Sequence, residues 1–499
     1  MRLQDENDIE ILRQKAVLLQ RENDLLHFQL QALAAELDRA RGQDKQALQQ
    51  QLNLLEEKLK ARTDALFGKS SEKMQHPGLP DKPQRAPQPG HGPTPQPKLP
   101  VVEQIHELDE ADKVCNACGG GLKPMNGQFE EADEIDVVER TFRIVKHKRQ
   151  KYTCKCGGCV DTALGPPKLI PGGRYSLDFA IQVALEKYLY HMPLTRQAMQ
   201  MAAQGLVVNS ATLWDQIEAL AKHLTPSYEA LRRRILQAIV VGADETRWPL
   251  LDSEGKIWWA WSVCSKYGAW YRIARSRSHQ EAGNLLGDYK GIVMADAYAG
   301  YEALRKARKR DGPTFSIAHC WAHVRRKFFE IKDQPEAKKA LELIGELYAV
   351  ETKAAAAHEM GTAEWRQMLA ELRRTESAAI LQRLWIWHGQ QRVLPKSGLG
   401  RALAYMGGIR PELEVFVQNV DVPLDNNDTE RSMRGLAVGR KNHYGSKSLR
   451  GTEVAALFYS LVETCKRLEV EPATYLRQAA LRAIAQPGAV MLPHELVDG

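Results

Sequence analysis

Two short apolar runs that each end in an aspartate constrain this chain more than any other feature. The stretch from Ala238 reads Ala-Ile-Val-Val-Gly-Ala-Asp244-Glu245-Thr-Arg-Trp-Pro249, and Gly291-Ile-Val-Met-Ala-Asp296 repeats the design 52 residues later. Runs this short, rich in β-branched residues, read as strands buried in a sheet. Each delivers a carboxylate at its exposed end. One such ending is equally a turn or a helix cap. Two of them, with a third acid downstream, suit oxygen ligands for a hard cation such as magnesium.

The intervening sequence fits that sheet. Lys256 to Cys264 and Ala269 to Ala274 read as a hairpin that turns at Tyr267-Gly268, and a short helix precedes the Asp296 strand. Three antiparallel strands, a helix and a further strand is, by analogy, the order of a ribonuclease H-like sheet, in which the first and fourth strands lie side by side. The third acid falls in Pro423-Leu-Asp425-Asn-Asn-Asp428-Thr-Glu430-Arg-Ser-Met-Arg434. Asn427, Asp428 or Thr429 is placed to cap a helix that starts near Glu430 and projects its carboxylate inward. Three carboxylates around two divalent ions can position water or a 3′-hydroxyl for attack on a phosphodiester. No phosphate-cradling Gly-Lys loop or Ser-His-Asp order competes for the chemistry.

The charge pattern agrees with a polyanionic substrate. A formal net charge of +7 is mild, but Arg305 to Arg310, Arg325-Arg326-Lys327 and the stretch from Arg431 to Arg450 follow the acidic strand ends. Arg325, Arg326, Arg431, Arg434, Arg440 and Lys441 are the candidate DNA contacts. Lys447 and Arg450 are weaker ones, as readily explained as solvated surface. Five of the eight cysteines lie between Cys115 and Cys159. That crowding favours metal binding in a reducing cytoplasm over disulfides. No run approaches the roughly 18 apolar residues of a membrane span, so a soluble cytoplasmic protein is expected.

The rest of the chain reads as modules. Residues 1–70 form a leucine-zipper arm: Ile9, Ala16, Asn23, Leu30 and Leu37 take one core position of a heptad, and Leu12, Leu19, Leu26 and Leu33 the other. Asn23 at a core position favours a parallel dimer. Residues 71–100 are a linker, with nine prolines between His76 and Pro100, too poor in apolar surface to fold. Residues 101–165 carry Cys115-Asn-Ala-Cys118 and Cys154-Lys-Cys156-Gly-Gly-Cys159, the spacing of a zinc ribbon. Cys115, Cys118, Cys156 and Cys159 are the expected ligands, with Cys154 as the alternative to one of the last two. The basic run Arg140 to Lys151 leads into the second knuckle.

Residues 170–236 have a helical pattern in which Gly205 makes a turn and Asn209 or Ser210 caps a second helix. This is either a helix-turn-helix that binds duplex DNA or a plain helical hairpin. Residues 237–445 are the catalytic domain, interrupted by a helical insertion over about 325–410, and 446–499 are a C-terminal helical element. Cys320 and His323, one helical turn apart, are either metal ligands or part of a packed helix start. The expected class is therefore multidomain α+β: coiled coil, zinc ribbon, helical DNA-binding region and ribonuclease H-like domain.

Nearly the whole chain, in order, resembles the transposases of the bacterial insertion sequence 66 family. The most specific stretches are Ala243-Asp-Glu-Thr246, Ala295-Asp-Ala-Tyr298, His319-Cys-Trp-Ala-His323-x-Arg-Arg326, Asp425-Asn-Asn-x-x-Glu430-Arg431 and Arg440-Lys-Asn442. The resemblance implies that Asp244, Asp296 and Glu430 are the metal-binding catalytic acids of a D-D-E enzyme. Because neighbours on a strand face opposite ways, Glu245 beside Asp244 is expected to be a bystander. It implies recognition of the terminal inverted repeats of an element, cleavage that frees 3′-hydroxyls, and joining of those ends to target DNA. Two magnesium (or manganese) ions and one structural zinc are the implied cofactors. Double-stranded DNA, a second copy of the chain and small accessory proteins are the implied partners. Cys320-x-x-His323 is similar to a signature that follows the second Asp in several D-D-E groups, which makes the pair an active-site support. The competing class is a DNA-binding regulator with an inactive nuclease-like domain.

Overall fold

A computed structural model of the chain describes residues 142–153, 160–251, 257–310 and 312–497, with helical residues at 25–26, 28–32, 51 and 55–56. The heptad seam as a whole, the Pro-rich linker and the five candidate zinc cysteines lie outside the described residues. Residues 144–499 fall in one compact unit with 1–78, and 79–143 in another.

Strands β1 (Lys151–Thr153) and β2 (Val160–Thr162) pair antiparallel on either side of the second cysteine knuckle. Three helices follow: α1 (Leu177–Tyr188), α2 (Leu194–Ala203) and α3 (Ser210–Ile235). Gly205, at φ 85°, makes the turn between α2 and α3, a conformation that glycine adopts at no steric cost. Asn209 caps α3 by accepting from Thr212 N at 2.8 Å. The helical hairpin expected here is therefore present. It is not a free-standing unit, because α3 runs on for 26 residues and packs on the sheet.

The sheet comprises β3 (Val240–Trp248), β4 (Trp258–Ser265), β5 (Gly268–Ala274), β6 (Ile292–Ala295) and β7 (Ser316–His319). Helix α4 (His279–Leu286) precedes β6, and α5 (Ala299–Lys309) precedes β7. The strand order is β5-β4-β3-β6-β7, with β3, β4 and β5 antiparallel and β6 and β7 parallel to β3. The first and fourth strands are neighbours, as the sequence order led us to expect.

The insertion is helical throughout: α6 (Trp321–Phe329), α7 (Pro335–Ala357), α8 (Ala363–Leu372), a π-helical turn (Arg373–Ser377), α9 (Ala378–Gln390), α10 (Gly398–Gly408), α11 (Arg410–Leu413) and α12 (Val415–Gln418). Its apolar faces form one core that runs from Met294 and Ala318 on the sheet through Trp321 and Leu347 to Leu424. The chain then returns to the sheet as α13 (Asn427–His443), and closes with α14 (Leu449–Arg467), α15 (Pro472–Ala485) and a 3₁₀ turn at Pro493–Leu496.

Helix α14 protects an edge of the sheet. Ala269 N donates to Thr464 Oγ1 at 3.1 Å and Tyr271 N donates to Ser460 Oγ at 2.8 Å. Two hydroxyls one helical turn apart thus satisfy alternate amides of β5, the edge strand of the sheet among the described residues. Gly268, at φ 142°, opens β5 against Thr464, where a Cβ would lie 2.6 Å from that side chain. The same helix packs on α1 and α3, so the segments expected as separate elements at 170–236 and 446–499 form one helical layer.

Candidate active site

The site begins with a register. Val240, Val241 and Gly242 on β3 pair in parallel with Ile292, Val293 and Met294 on β6. That offset is the spacing between Asp244 and Asp296, so the two aspartates fall at equivalent positions of neighbouring strands, although Asp244 lies within β3 rather than at its exposed end as expected, and only Asp296 directly follows its strand. Side chains on β3 alternate between the two faces of the sheet. Gly242 and Asp244 face α13, while Val241, Ala243 and Glu245 face α5.

Glu430 comes from the first turn of α13, and the contacts that fix this turn are unusually close. A Cβ on Gly242 would overlap Thr429 Oγ1 and lie 2.8 Å from Asn426 Oδ1. Asn426 donates from Nδ2 to Ala243 O at 3.0 Å, and its main-chain N donates to Cys320 Sγ at 3.2 Å. Asp425 is fixed in turn by Tyr348 Oη at 3.1 Å and by Asn427 N at 3.0 Å. The helix starts at Asn427, earlier than expected, and the Asn426 side chain at its N-cap makes no capping bond. Asp425 Oδ1 takes the N–H of Asn427 instead.

The electrostatics show the acids converging. Asp244 is pushed up to about 7, first by burial, then by the negative charge of Glu245 and, more weakly, of Asp296 and Glu430. Its Oδ1 accepts Glu245 N at 2.8 Å, which offsets only part of that rise. Asp296 Oδ1 accepts Tyr298 N at 3.1 Å. One oxygen of Glu430, Oε1, is buried without a hydrogen-bond partner. Carboxylates that repel one another and hold an unpartnered oxygen fit a site completed by a hard divalent cation.

Cys320 and His323 lie beside the third acid. Cys320 precedes α6 and is 1% exposed, and burial pushes its thiol up to about 12. His323 Nε2 is 3.6 Å from Glu430 Oε1. Ligand atoms of Cys320, His323 and Glu430 all lie within 4.8 Å of one another.

The candidate DNA contacts divide. Arg431, Arg434 and Lys441 are exposed along α13, with Arg431 3.5 Å from Asp428. Arg326 extends its guanidinium to within 3.9 Å of Glu430 Oε2. Arg325 is not at the surface: it is 7% exposed, with its guanidinium over the Phe329 ring. Arg440 is also committed elsewhere, donating to Thr246 Oγ1 at 2.8 Å and to Arg247 O. It ties the far end of α13 to the end of β3.

Three features escaped the sequence reading. Glu245 is not idle: it is 8% exposed, paired with Arg277 and contacted by Tyr301 Oη at 3.2 Å. Burial and the charge of Asp296 raise its pKa. Arg277 in turn lies over Tyr298, 4.0 Å from the ring centroid. In the insertion, Arg373 is 2% exposed and forks onto Glu351 at 2.8 and 2.7 Å. Its Nη1 reaches the main-chain oxygens of Phe416 and Val422 at 3.0 and 2.9 Å, holding the segment that leads into Asp425. A lone Arg-Arg pair in a helical run gives no sign of such a role.

Residues 172–454 match the model described as transposase IS66 family, and residues 112–157 match the model of the zinc-finger binding domain of transposase IS66. The second match contains Cys115, Cys118, Cys154 and Cys156. Uncharacterized protein y4qI of Sinorhizobium fredii is 30% identical over 425 residues, covering 81% of this chain and 76% of the relative. Uncharacterized protein y4jD of the same organism is 28% identical over 406 residues, covering 78% and 77%. No solved structure matches the chain.

Proposed function

The chain belongs to the IS66 family of transposases, and from that premise we propose that Asp244, Asp296 and Glu430 are the acids with which it cleaves and joins DNA. The observation that carries this reading is the parallel register that sets Asp244, within β3, level with Asp296, which directly follows β6, while the Asn426–Ala243 bond holds the turn that carries Glu430 against β3. The five-stranded order with the first and fourth strands paired supports a ribonuclease H-like catalytic domain.

The three acids would hold two magnesium ions, which supply charge for the attacking and leaving oxygens of an in-line displacement. The protein's own residues set up the reaction. Strands β3 and β6 fix two carboxylates, and the Asn426–Ala243 bond brings the third against them. Exposed Arg431, Arg434 and Lys441 line α13 beyond Glu430 and can follow a phosphate backbone. In end cleavage a water oxygen attacks the phosphorus and the bond to the 3′ oxygen breaks, freeing a 3′-hydroxyl. In joining, that hydroxyl oxygen attacks a target phosphorus, and the target strand's own 3′ oxygen leaves.

The remaining modules serve the same task. Cys115, Cys118, Cys156 and Cys159, with Cys154 as alternative, would hold one structural zinc. The helices over 170–236 would contact the terminal inverted repeats, and the N-terminal zipper would pair two chains so that two ends are held together. Small accessory proteins of the element would complete the assembly in the bacterial cytoplasm.

The test is an end-joining assay on inverted-repeat DNA with magnesium. Asp296→Asn should abolish cleavage and joining while leaving end binding largely intact. Undiminished strand transfer by this variant would refute the assignment, and nicked ends without joined product from the native chain would reduce the function to hydrolysis.

A further inference from the structure

The geometry points to a zinc site inside the catalytic cleft: we propose that Cys320, His323 and Glu430 bind one ion of the zinc class through a thiolate, an imidazole nitrogen and a carboxylate oxygen, leaving a fourth position open.

The three ligand atoms lie within 4.8 Å of one another before any ion draws them in. The His323 Nε2 to Glu430 Oε1 separation of 3.6 Å is close to the roughly 3.3 Å edge of a tetrahedron with bonds of about 2.0 Å. Glu430 Oε1 is buried without a hydrogen-bond partner, so the oxygen that faces His323 is one that nothing else satisfies. Cys320 Sγ accepts the main-chain N–H of Asn426 at 3.2 Å, the kind of bond that orients a metal-bound sulfur. A sulfur, nitrogen and oxygen set disfavours magnesium, which takes oxygen ligands, and suits zinc or its spectroscopic surrogate cobalt. The scaffold is shared with the first acid, because Asn426 bonds both Cys320 and Ala243.

The site has a consequence for the enzyme, and this consequence rests on the catalytic reading of Glu430. An oxygen of Glu430 bound to zinc is withdrawn from the magnesium set. Zinc therefore competes with magnesium for that oxygen.

Full-length protein and its variants, dialysed against excess zinc and then against a weak chelator, are compared by metal analysis. The native chain should retain about one zinc more per chain than Cys320→Ser or His323→Gln, whatever the ribbon contributes to all three. Asp244→Asn should keep the native content, since that carboxylate is outside the set. Cobalt in place of zinc should give a thiolate charge-transfer band that Cys320→Ser diminishes. Because Cys320 is buried, His323→Gln carries the result if the serine variant does not fold. Equal zinc content in the native chain and His323→Gln would overturn the site. Loss of zinc in Asp244→Asn would also overturn it, by assigning the ion to the aspartates. If the extra zinc is present but Asp296→Asn still joins ends, the catalytic reading fails and the zinc site stands.

Discussion

Asn426 donates its side-chain amide to the main-chain oxygen of Ala243 at 3.0 Å, joining the residue before the first acid to the start of the helix that carries the third. The same residue's N–H reaches Cys320 Sγ. One buried residue, through its side chain and its main-chain N–H, therefore relates three parts of the site that lie far apart in sequence. Asn426→Ala should cost about 1–3 kcal/mol, the penalty for breaking a buried hydrogen bond. It should lower strand transfer more than DNA binding. Denaturant midpoints and the joining assay check both, and native-like joining would show that α13 is held by other contacts.

Gly242 gives a second handle on the same interface. Its substitution by alanine places a Cβ over Thr429 Oγ1, which the rigid strand and helix cannot both accommodate. Gly242→Ala should be destabilised by roughly 1–3 kcal/mol. Thr429→Ala in the same chain should restore part of this, leaving a coupling energy above about 0.5 kcal/mol. Strictly additive effects would mean that the two residues do not meet.

The acids should make the metal-free protein sensitive to pH. Asp244 titrates at about 7 in the folded chain, above the ordinary carboxyl range. The folded state thus holds this proton more tightly, and the stability it contributes is lost as pH rises through about 7. By that linkage Asp244→Asn, which cannot ionise, should exceed the native protein in stability by on the order of 3 kcal/mol at about pH 8, with the gap closing toward about pH 4. Thermal melts in chelator across this range test it. Added magnesium should narrow the gap at high pH, because the cation takes over the role of the proton.

Arg373 should be the most sensitive position of the insertion. Its removal strips Glu351 of its partner and leaves the main-chain oxygens of Phe416 and Val422 without a donor. Arg373→Ala should cost about 3–5 kcal/mol. Arg373→Lys should recover little, since an ammonium cannot fork onto the carboxylate and also reach both carbonyls. Urea unfolding of the three proteins ranks them, and a lysine variant equal to the native chain would reduce the clamp to a simple charge pair.

The edge of the sheet should depend on α14. Ser460→Ala with Thr464→Val removes both hydroxyls that receive the amides of Tyr271 and Ala269. Roughly 1–2 kcal/mol per bond is at stake, and an unpaired edge strand also promotes association between chains. Light scattering during heating should rise earlier in the double variant than in the native protein. An unchanged onset would mean that packing alone covers β5.

Much of the site was legible along the chain because its parts are local. The apolar runs before Asp244 and Asp296 specify strands by composition, while the register that sets both acids level is a property of the folded sheet. Gly205 and Asn209 specify a turn and a cap through backbone freedom and a side-chain acceptor. What distance in sequence separates had to be settled by packing. Glu245 and Arg277, Arg373 and Phe416, and Thr464 and Ala269 meet only because burial leaves each charge, carbonyl or amide needing a partner, and the fold supplies it from another segment. The same rule buried Arg325 and tied Arg440 to β3. Sequence determined which residues could carry the chemistry. Tertiary structure decided which of them face the cleft, because a side chain's exposure depends on what packs over it and no local pattern contains that neighbour.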